Sequence, residues 1–318
     1  MIKRCLGCGV KLQSINEDEV GFVLDSQKDL CERCFKLKHY NKSSFDVLNY
    51  NNKDIINKIN ENNHYVFFLI DYFNMSEEYL SLFKQINNPK CLIITKLDLI
   101  FKSIKLKQVK DFIRNTYDIE ENILFISSKK EEHLNEFNNY IKRYDIKEAY
   151  FAGITNAGKS SLINKLYEIN NEKKSNIVVS NLYNTTLDFI KIKISDEFKL
   201  IDSPGFITNN YFSKITKKLN PKKYIKPITY QTKEEIYYDI ENLITINTSN
   251  KNSLTFYMSN DLSIKKKYKK VDNLVKINIS NDTDLIIKGL GFINIKTKCE
   301  LLINKEIIDI IEIRESMF

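Results

Sequence analysis

The segment GITNAGKSS, from Gly153 to Ser161, carries the spacing G-x-x-x-x-G-K-[ST]. Its glycines let the backbone curl so that N–H groups point at an anion, and a helix that starts there adds positive potential. At this spacing Lys159 reaches the β- and γ-phosphates of a nucleotide, and the Ser160 hydroxyl coordinates Mg²⁺. A glycine turn before a helix is the alternative. The pattern predicts a phosphate-binding loop whose nucleotide contacts come from Asn156, Ala157, Gly158, Lys159, Ser160 and Ser161.

A second motif, DSPG from Asp202 to Gly205, follows the loop and suits a γ-phosphate sensor. The Asp202 carboxylate ends a strand pattern and is predicted to hold the Mg²⁺ shell. Gly205 lacks a Cβ, so its N–H can approach the γ-phosphate. Between the two motifs, YNTTLD supplies Thr186 as the predicted threonine on Mg²⁺ and the γ-phosphate, with Thr185 as the competing choice. The predicted Mg²⁺ ligands are therefore Ser160, Thr186 and Asp202.

A third motif, TKLD from Thr95 to Asp98, offers groups that can read a guanine base. A carboxylate at Asp98 accepts two hydrogen bonds from the guanine Watson–Crick edge, which adenine cannot offer. Lys96 is expected along the base plane, and Thr95 stands where Asn is the commoner residue. A tripeptide after the next strand pattern is predicted to give a backbone N–H to the guanine oxygen; it consists of Ser127, Ser128 and Lys129.

The order of these motifs along the chain is unusual. The base-reading tetrapeptide precedes the phosphate loop and DSPG, whereas an ordinary GTPase carries it after them. A nucleotide site is formed by residues that are adjacent in space rather than in sequence. A circular permutation of the chain therefore preserves the site if the strands keep their positions in the sheet. We interpret the sequence as a circularly permuted P-loop GTPase of the α/β class that binds GTP or GDP with Mg²⁺.

The position after DSPG is Phe206, where Ras-type GTPases carry the glutamine that orients the attacking water. Asn156 lies inside the phosphate loop, and its side-chain carbonyl could hold a potassium ion against the β- and γ-phosphates. The predicted catalytic residues are therefore Lys159, Thr186 and Asn156, and intrinsic hydrolysis is expected to be slow and stimulated by potassium. The alternative is that Asn156 only stabilises the loop through backbone hydrogen bonds.

Four of the six cysteines form two CxxC pairs near the N-terminus, Cys5 with Cys8 and Cys31 with Cys34. Two such pairs at this range are typical of a Cys₄ zinc site, which is structural because four thiolates fill the tetrahedron. A disulfide pair or free core cysteines are the alternatives. Cys91 and Cys299 lie in apolar strands and are expected in the core. His39, His64 and His133 lack ligand spacing, so surface or packing roles are expected for them.

The elements that must position these residues begin at Tyr65, where buried strands alternate with helical patterns. Continuous apolar strands indicate a parallel, doubly wound sheet whose ligands bind beyond the strand C-termini. The predicted strands are 65–71, 90–95, 122–127, 149–153 and 199–202, with an edge strand at 189–194. The predicted helices are 76–86, 104–116, 131–144 and 159–168.

The rhythm changes after about Ile207, where short, Ile-rich runs predict a β-rich or α+β domain. Its predicted strands are 229–231, 243–248, 254–258, 275–279, 284–287, 292–296 and 307–313. We therefore expect three parts: a zinc module over 1–44, the permuted GTPase domain over 45–206 and a C-terminal RNA- or protein-binding domain over 207–318.

The net charge of +8 fits an anionic partner such as RNA, although a Lys- and Asn-rich composition is an equal alternative. From Phe206 onward 19 Lys and Arg face 13 Asp and Glu, with the densest run at Lys265–Lys270; a solvated loop is the other explanation of that run. No apolar run reaches the length of a membrane span, so no membrane partner and a cytoplasmic location are expected. The sequence leaves the oligomeric state open.

The chain resembles the bacterial YqeH family of circularly permuted GTPases. The segments that carry the resemblance are CLGCGVKLQ, LCERCFKLKHYN, GITNAGKSS, NTTLDF and DSPG. The resemblance covers roughly residues 1–206 and reaches the tail through KGLGFINI. It implies a switch in assembly of the small ribosomal subunit, with hydrolysis gating contact with the particle, its rRNA or its proteins. The sequence departs from the family at Thr95 and at Tyr183-Asn184, where Pro-Gly is usual.

Two other functions remain open at this stage. One is an RNA-binding zinc protein with a vestigial or purely regulatory nucleotide site, against which the intact Lys159, Ser160, Thr186 and Asp202 argue. The other is regulation of a different process, such as translation, by the same switch. Whether the switch acts in ribosome assembly or in another process, the chain after Gly205 runs directly into the C-terminal domain. This connection predicts that the γ-phosphate sensor acts as a lever on that domain.

Overall fold

The computed structural model describes residues 3–17, 19, 21–25, 27–32, 34–35, 51–99, 104–171, 188–206, 226–248, 251–267 and 275–318. Two compact units divide the chain. The first holds the described residues of Met1–Asp71, Glu78–Asp98 and Glu120–Ile207, and the second those of Tyr72–Glu77, Leu99–Ile119 and Thr208–Phe318. Among the described residues, no helix is both long and apolar enough to cross a membrane.

A six-stranded sheet with the order β3-β2-β1-β4-β6-β5 organises the first unit. All neighbouring strands pair in parallel except β5 with β6, which are antiparallel. The strands are β1 (Tyr65–Asp71), β2 (Lys90–Thr95), β3 (Asn122–Phe125), β4 (Glu148–Gly153), β5 (Ile190–Lys193) and β6 (Lys199–Asp202). The helices are α1 (Asn52–Asn60), α2 (Glu77–Lys84), α3 (Leu106–Tyr117), α4 (Glu131–Arg143) and α5 (Lys159–Asn171). Of these, α3 belongs to the second unit.

Strand β1 shows why the apolar runs form a doubly covered sheet. Successive side chains of a strand point to opposite faces. Phe67 packs against Phe137 of α4 with ring centroids 4.8 Å apart, and Phe68 packs against Phe83 of α2 at 5.7 Å. Both faces of the strand are therefore buried, which favours apolar residues at every position rather than at alternate ones.

The strand order accounts for the reversed motif order. Strand β4, which leads into the phosphate loop, lies between β1 and β6, while β2, which ends in the TKLD motif, lies beyond β1. Strands β1 to β3 precede β4 along the chain but occupy one side of the sheet together. All three motifs follow the C-terminal ends of their strands, where parallel sheets bind ligands. The prediction of a doubly wound, mostly parallel α/β sheet is confirmed by this strand order.

Two five-stranded antiparallel sheets form most of the second unit, with the orders β16-β13-β14-β10-β7 and β11-β8-β9-β15-β12. Buried residues of both sheets form one apolar core that includes Phe256, Ile293 and Leu301. The strands are β7 (Ile228–Thr232), β8 (Ile236–Ile240), β9 (Ile244–Thr248), β10 (Asn252–Met258), β11 (Ile264–Lys267), β12 (Val275–Ile279), β13 (Thr283–Ile287), β14 (Gly291–Ile295), β15 (Cys299–Ile303) and β16 (Ile311–Glu315).

The structure corrects several sequence-based elements of this unit. The strand predicted over 307–313 is a 3₁₀ helix over Lys305–Ile310 followed by β16, because the Asn304 side chain caps the helix by accepting from the Glu306 N–H. Strands β8 and β11 were missed, and β15 was predicted only as an apolar strand around Cys299, without bounds. Lys265–Lys267 form β11 rather than a loop, whereas the rest of the lysine run lies outside the described residues.

The predicted domain limits remain a prediction, since the compact units follow a different division. Two segments that precede the phosphate loop in sequence, Tyr72–Glu77 and Leu99–Ile119, group with the C-terminal strands. The limit near residue 207 otherwise agrees with the end of the first unit at Ile207.

Arg314 of β16 joins these two segments to the β sheets within the second unit. Its guanidinium is 5% exposed; Nη2 lies 3.2 Å from Asp284 Oδ2, and Nη1 donates to the Tyr117 hydroxyl at 3.0 Å and to the Met75 carbonyl at 2.8 Å. The guanidinium also lies 5.2 Å from the centroid of the Phe292 ring. All three guanidinium nitrogens of this buried arginine donate hydrogen bonds, so its removal would leave the Asp284 carboxylate and the Met75 carbonyl buried without this donor.

We expect Arg314→Met to lower the free energy of unfolding by about 3–5 kcal/mol, because it leaves the Asp284 carboxylate buried without its counter-ion. Urea denaturation followed by circular dichroism measures the change. Lys276→Met is the matched control: its 2.8 Å pair with Glu300 has a side chain that is 52% exposed, so a loss under about 1 kcal/mol is expected. Equal losses in the two variants would contradict the assignment.

Candidate functional site

The phosphate loop lies between β4 and α5, with Lys159 as the first residue of the helix. Asn156 and Gly158 have positive φ values, 66° and 87°, so the backbone curls as the glycine spacing predicts. Ala157 is buried, whereas Asn156 and the helix residues Ser160 and Ser161 are half-buried. The loop therefore presents successive backbone N–H groups and a helix N-terminus at the same edge of the sheet.

Lys159 and Asp202 meet at this edge. Their Nζ and Oδ1 atoms lie 2.6 Å apart, and the two side chains are 8% and 0% exposed. Lys159 also donates to the carbonyl of Ser203 in the DSPG motif. The pair brings the predicted phosphate-binding cation and the predicted Mg²⁺ carboxylate to one point, as GTP or GDP with Mg²⁺ requires.

The DSPG motif is fastened to the phosphate loop by backbone contacts. The Phe206 N–H donates to the Gly153 carbonyl at 3.0 Å, and the Thr155 N–H and hydroxyl each donate to the Phe206 carbonyl at 3.0 Å. A Cβ at Gly205 would lie 2.8 Å from the Thr155 hydroxyl oxygen, so the close approach requires glycine. The γ-phosphate sensor is therefore hydrogen-bonded to the phosphate loop through Phe206, the residue that follows the motif.

Phe206 occupies the position of the missing glutamine, and its side chain faces the core. It is 1% exposed and packs against Phe68 with ring centroids 5.4 Å apart. A phenyl ring in this environment cannot orient an attacking water, so hydrolysis has to rely on other groups.

Asp98 of the TKLD motif is held by residues that follow β3. Its Oδ1 accepts from the Ser127 hydroxyl at 2.8 Å, and its Oδ2 lies 2.6 Å from Lys129 Nζ. Burial alone would raise the pKa of Asp98, but the hydrogen bonds from Lys129 and Ser127 lower it overall. The carboxylate therefore stays ionised near neutral pH, as an acceptor for two guanine donors must. Ser128 is half-buried between these two partners.

Two residues of this region were missed by sequence reasoning. His133 was expected in a surface or packing role, yet its Nδ1 accepts from the Ser127 N–H at 3.0 Å and fixes that tripeptide. Asp71 is 1% exposed, and its Oδ2 lies 3.3 Å from Lys96 Nζ. An ionisable residue that closes the uniformly apolar strand YVFFLID was the available signal for Asp71, whereas His133 carried none.

Thr95 links the base-reading loop to the phosphate loop. Its hydroxyl donates to the Ala157 carbonyl at 2.5 Å and lies 3.4 Å from the Ile70 carbonyl. A hydroxyl can therefore make the contact between the two loops at a position where asparagine is commoner. With Thr95 in place of the commoner Asn, the base-reading loop and the phosphate loop are still joined by a hydrogen bond.

The predicted residues Thr185 and Thr186 lie outside the described residues, so their roles remain predictions. The role of Asn156 also remains a prediction. Among the residues that the structure describes, no hydrogen-bond partner of the Asn156 side chain is found, and its positive φ is one that Asn tolerates better than most residues.

The four N-terminal cysteines form a compact buried cluster whose ligand atoms all lie within 4.8 Å of one another. The sulfurs of Cys8 and Cys31 are 3.8 Å apart, which matches the edge of about 3.8 Å of a tetrahedron with Zn–S bonds of about 2.3 Å. All four thiols are free, so the disulfide alternative is not the arrangement found. Hydrogen bonds from the Cys31, Cys34 and Cys8 thiols lower the pKa of Cys5. The donor set and its geometry fit a tetrahedral thiophilic metal ion.

Two family models and a curated relative match this chain and confirm the predicted circularly permuted GTPase fold. The family model described as RsgA GTPase matches residues 71–212, a stretch that contains the motifs in their permuted order. The model described as 50S ribosome-binding GTPase matches residues 148–287. The uncharacterized protein YqeH of Bacillus subtilis is 27% identical over 286 residues, which is 82% of this chain and 76% of the relative. A crystal structure of YjeQ from Thermotoga maritima aligns at 24% identity and a TM-score of 0.33 over about half of each chain, 47% of this one and 51% of the other.

We expect Thr95→Val to weaken GTP binding about tenfold, because it leaves the Ala157 carbonyl without its donor and loosens the phosphate loop. Thr95→Ser keeps the hydroxyl and is expected to bind within about twofold of the natural protein, which makes it the matched control. Titration with a fluorescent GTP analogue measures both affinities. If valine binds as tightly as serine, the hydroxyl has no part in positioning the loop.

Proposed function

We propose that this chain, a circularly permuted GTPase of the YqeH and RsgA type, uses its nucleotide state to control binding to the small ribosomal subunit during assembly of that particle. Families of this type are ribosome-assembly GTPases. The observation that supports a working nucleotide site is the buried contact of Lys159 with Asp202 beside the phosphate loop, at 2.6 Å. The ribosomal partner in the proposal rests on the similarity to these families. A vestigial site would have no need to keep this cation and carboxylate together in the interior, where each is costly alone.

We assign the roles of the site residues as the sequence predicted them. Lys159 neutralises the β- and γ-phosphates, Ser160, Thr186 and Asp202 hold Mg²⁺, and Asp98 reads the guanine edge with Lys96 along the base. The ionised state of Asp98, held by Ser127 and Lys129, supports the base-reading role. Gly205 supplies its N–H to the γ-phosphate.

The C-terminal unit is the proposed contact with rRNA or ribosomal proteins. Its strand β11 carries three consecutive lysines, and Lys266 Nζ lies 5.3 Å from the centroid of the Tyr230 ring. An aromatic surface beside a cation suits the stacking and phosphate contacts of single-stranded RNA. Lys267 is partly neutralised by Asp239 at 2.9 Å, so phosphate binding rests mainly on Lys265 and Lys266. Ribosome assembly also makes the cytoplasm the proposed location.

Sedimentation of the purified protein with ribosomal subunits tests the proposal. We expect it to migrate with the small subunit in a non-hydrolysable GTP analogue and to leave it in GDP, or the reverse, with at least about a tenfold difference in the bound fraction. Lys159→Ala, which cannot bind the phosphates, should lose this dependence. Migration with the large subunit would transfer the role to that particle. Binding to neither particle in any nucleotide state would refute the ribosomal part and leave the GTPase.

We also propose that the cysteine cluster holds one structural Zn²⁺, bound by Cys5, Cys8, Cys31 and Cys34. The metal would fold the small N-terminal module, whose apolar core beyond the cysteines is limited to a few residues such as Val23. Cys34→Ser should lose the metal and expose this module to proteases. Cys91→Ser, which changes a buried cysteine of β2 outside the cluster, is the control that should keep it. Elemental analysis of freshly purified protein gives the answer, and a natural protein without zinc would remove the site.

Potassium is the proposed replacement for an arginine finger, held by the Asn156 side chain. We expect hydrolysis to be about tenfold or more faster in potassium than in sodium, because a bound cation offsets the charge that develops on the phosphates. Asn156→Gly tests this more cleanly than alanine, since glycine keeps the positive φ at no steric cost while removing the ligand. The variant should turn over equally in both salts. A natural protein with equal rates in the two salts would contradict the role, leaving Asn156 as a loop-forming residue.

A further inference from the structure

The first cysteine knuckle contacts the chain at the start of edge strand β5. The backbone N–H of Asp188 donates to the Cys8 carbonyl at 3.1 Å, which is a direct bond between a residue of the knuckle and the segment that enters the strand. Arg4 Nη1 donates to the Asp188 carboxylate at 2.8 Å and to the Gly9 carbonyl at 2.9 Å. One guanidinium thus holds both sides of the contact.

Gly9 brings the knuckle still closer to the strand. A Cβ at Gly9 would lie 2.7 Å from Ile190 Cγ1 and 3.1 Å from the Asp188 carbonyl oxygen, so a larger residue would have to displace the Ile190 side chain and press on the Asp188 backbone. The φ of Gly9 is 80°, a conformation that favours glycine as well. The knuckle therefore contacts the Asp188 backbone directly and packs closely against the Ile190 side chain at the start of β5.

Strand β5 continues this contact to the nucleotide site. It pairs with β6 in a register that places Ile190 opposite Asp202, the residue whose Oδ1 lies 2.6 Å from Lys159 Nζ. The path from the cysteines to the Mg²⁺ carboxylate therefore has three steps: knuckle to Asp188 and Ile190, Ile190 to Asp202, and Asp202 to Lys159. The first step consists of hydrogen bonds to Asp188 and the close approach of Gly9 to Ile190. The second step is a strand pairing, and the third is an ion pair.

We propose that Arg4 and Asp188 are positioning residues that couple metal occupancy of the cysteine cluster to nucleotide binding at Asp202. A filled cluster fixes the knuckle, which fixes the entry of β5 and so the pairing partner of Asp202. By linkage the coupling runs both ways: Mg²⁺ with a GTP analogue holds zinc more tightly, and zinc tightens Mg²⁺-dependent nucleotide binding by the same factor. The inference rests on the zinc occupancy proposed above but not on the ribosomal partner.

Zinc release to a chromophoric chelator measures the coupling without measuring hydrolysis. The zinc-loaded full-length protein is mixed with excess 4-(2-pyridylazo)resorcinol, with and without a non-hydrolysable GTP analogue and Mg²⁺. We expect the analogue to slow release about fivefold or more in the natural protein. Asp188→Asn and Arg4→Gln should each bring this ratio close to one, while Arg4→Lys, which keeps the charge, should retain part of it.

Lys3→Gln is the matched control, because Lys3 is the residue before Arg4 and its pair with Asp29, at 3.2 Å, stays within the module. It should keep the full ratio. Equal release rates with and without nucleotide in the zinc-loaded natural protein would overturn the coupling alone. A ratio that survives in both Asp188→Asn and Arg4→Gln would overturn the assignment to these residues. Protein purified without zinc would overturn this inference together with the zinc site, whereas failure to bind ribosomal particles would leave it standing.

Discussion

The buried contact of Lys159 with Asp202 is the constraint on which the first unit depends. A lysine that is 8% exposed and a carboxylate that is fully buried are tolerable only because they lie 2.6 Å apart. This distance requires the phosphate loop and the end of β6 to be neighbours, and therefore requires β4 and β6 to be adjacent in the sheet. The backbone bonds between Gly153, Thr155 and Phe206 serve the same alignment from the other side of the loop.

The permuted chain order is compatible with this constraint because the sheet, and not the chain, carries the site. Strands β1 to β3 are made first, yet they extend the sheet on the side of β4 away from β6. The base-reading loop is then tied to the phosphate loop by Thr95, and its aspartate is oriented by Ser127 and Lys129. Each of these contacts joins residues that are distant in sequence, so the order in which the chain supplies them has no effect on the finished geometry.

Permutation changes what lies next to each motif. The sequence predicts that the γ-phosphate sensor acts on the C-terminal domain through the chain that follows Gly205. The second compact unit adds another connection, because α3, which follows the base-reading loop along the chain, belongs to that unit and is bound there by Arg314 through Tyr117. Residues Tyr72–Glu77, which follow β1, are bound there as well through the Met75 carbonyl. Along the chain, segments of the second unit therefore follow the ends of three strands of the nucleotide-binding sheet.

The sequence alone determined the three nucleotide motifs, the four-cysteine set, and the strands β1, β2 and β6 to the residue, because each rests on local chemistry: a glycine spacing, a CxxC pair, or an apolar run that ends in a polar residue. Local patterns failed at Lys305–Ile310, where an asparagine cap outweighed an isoleucine-rich run, and at β8 and β11, whose strand structure depends on pairing with neighbouring strands. Only the tertiary structure decided the roles of His133, Asp71 and Arg314 and the contact of Arg4 with Asp188, 184 residues away. Such contacts leave no periodic signal, since a hydrogen bond between distant residues depends on how whole elements pack.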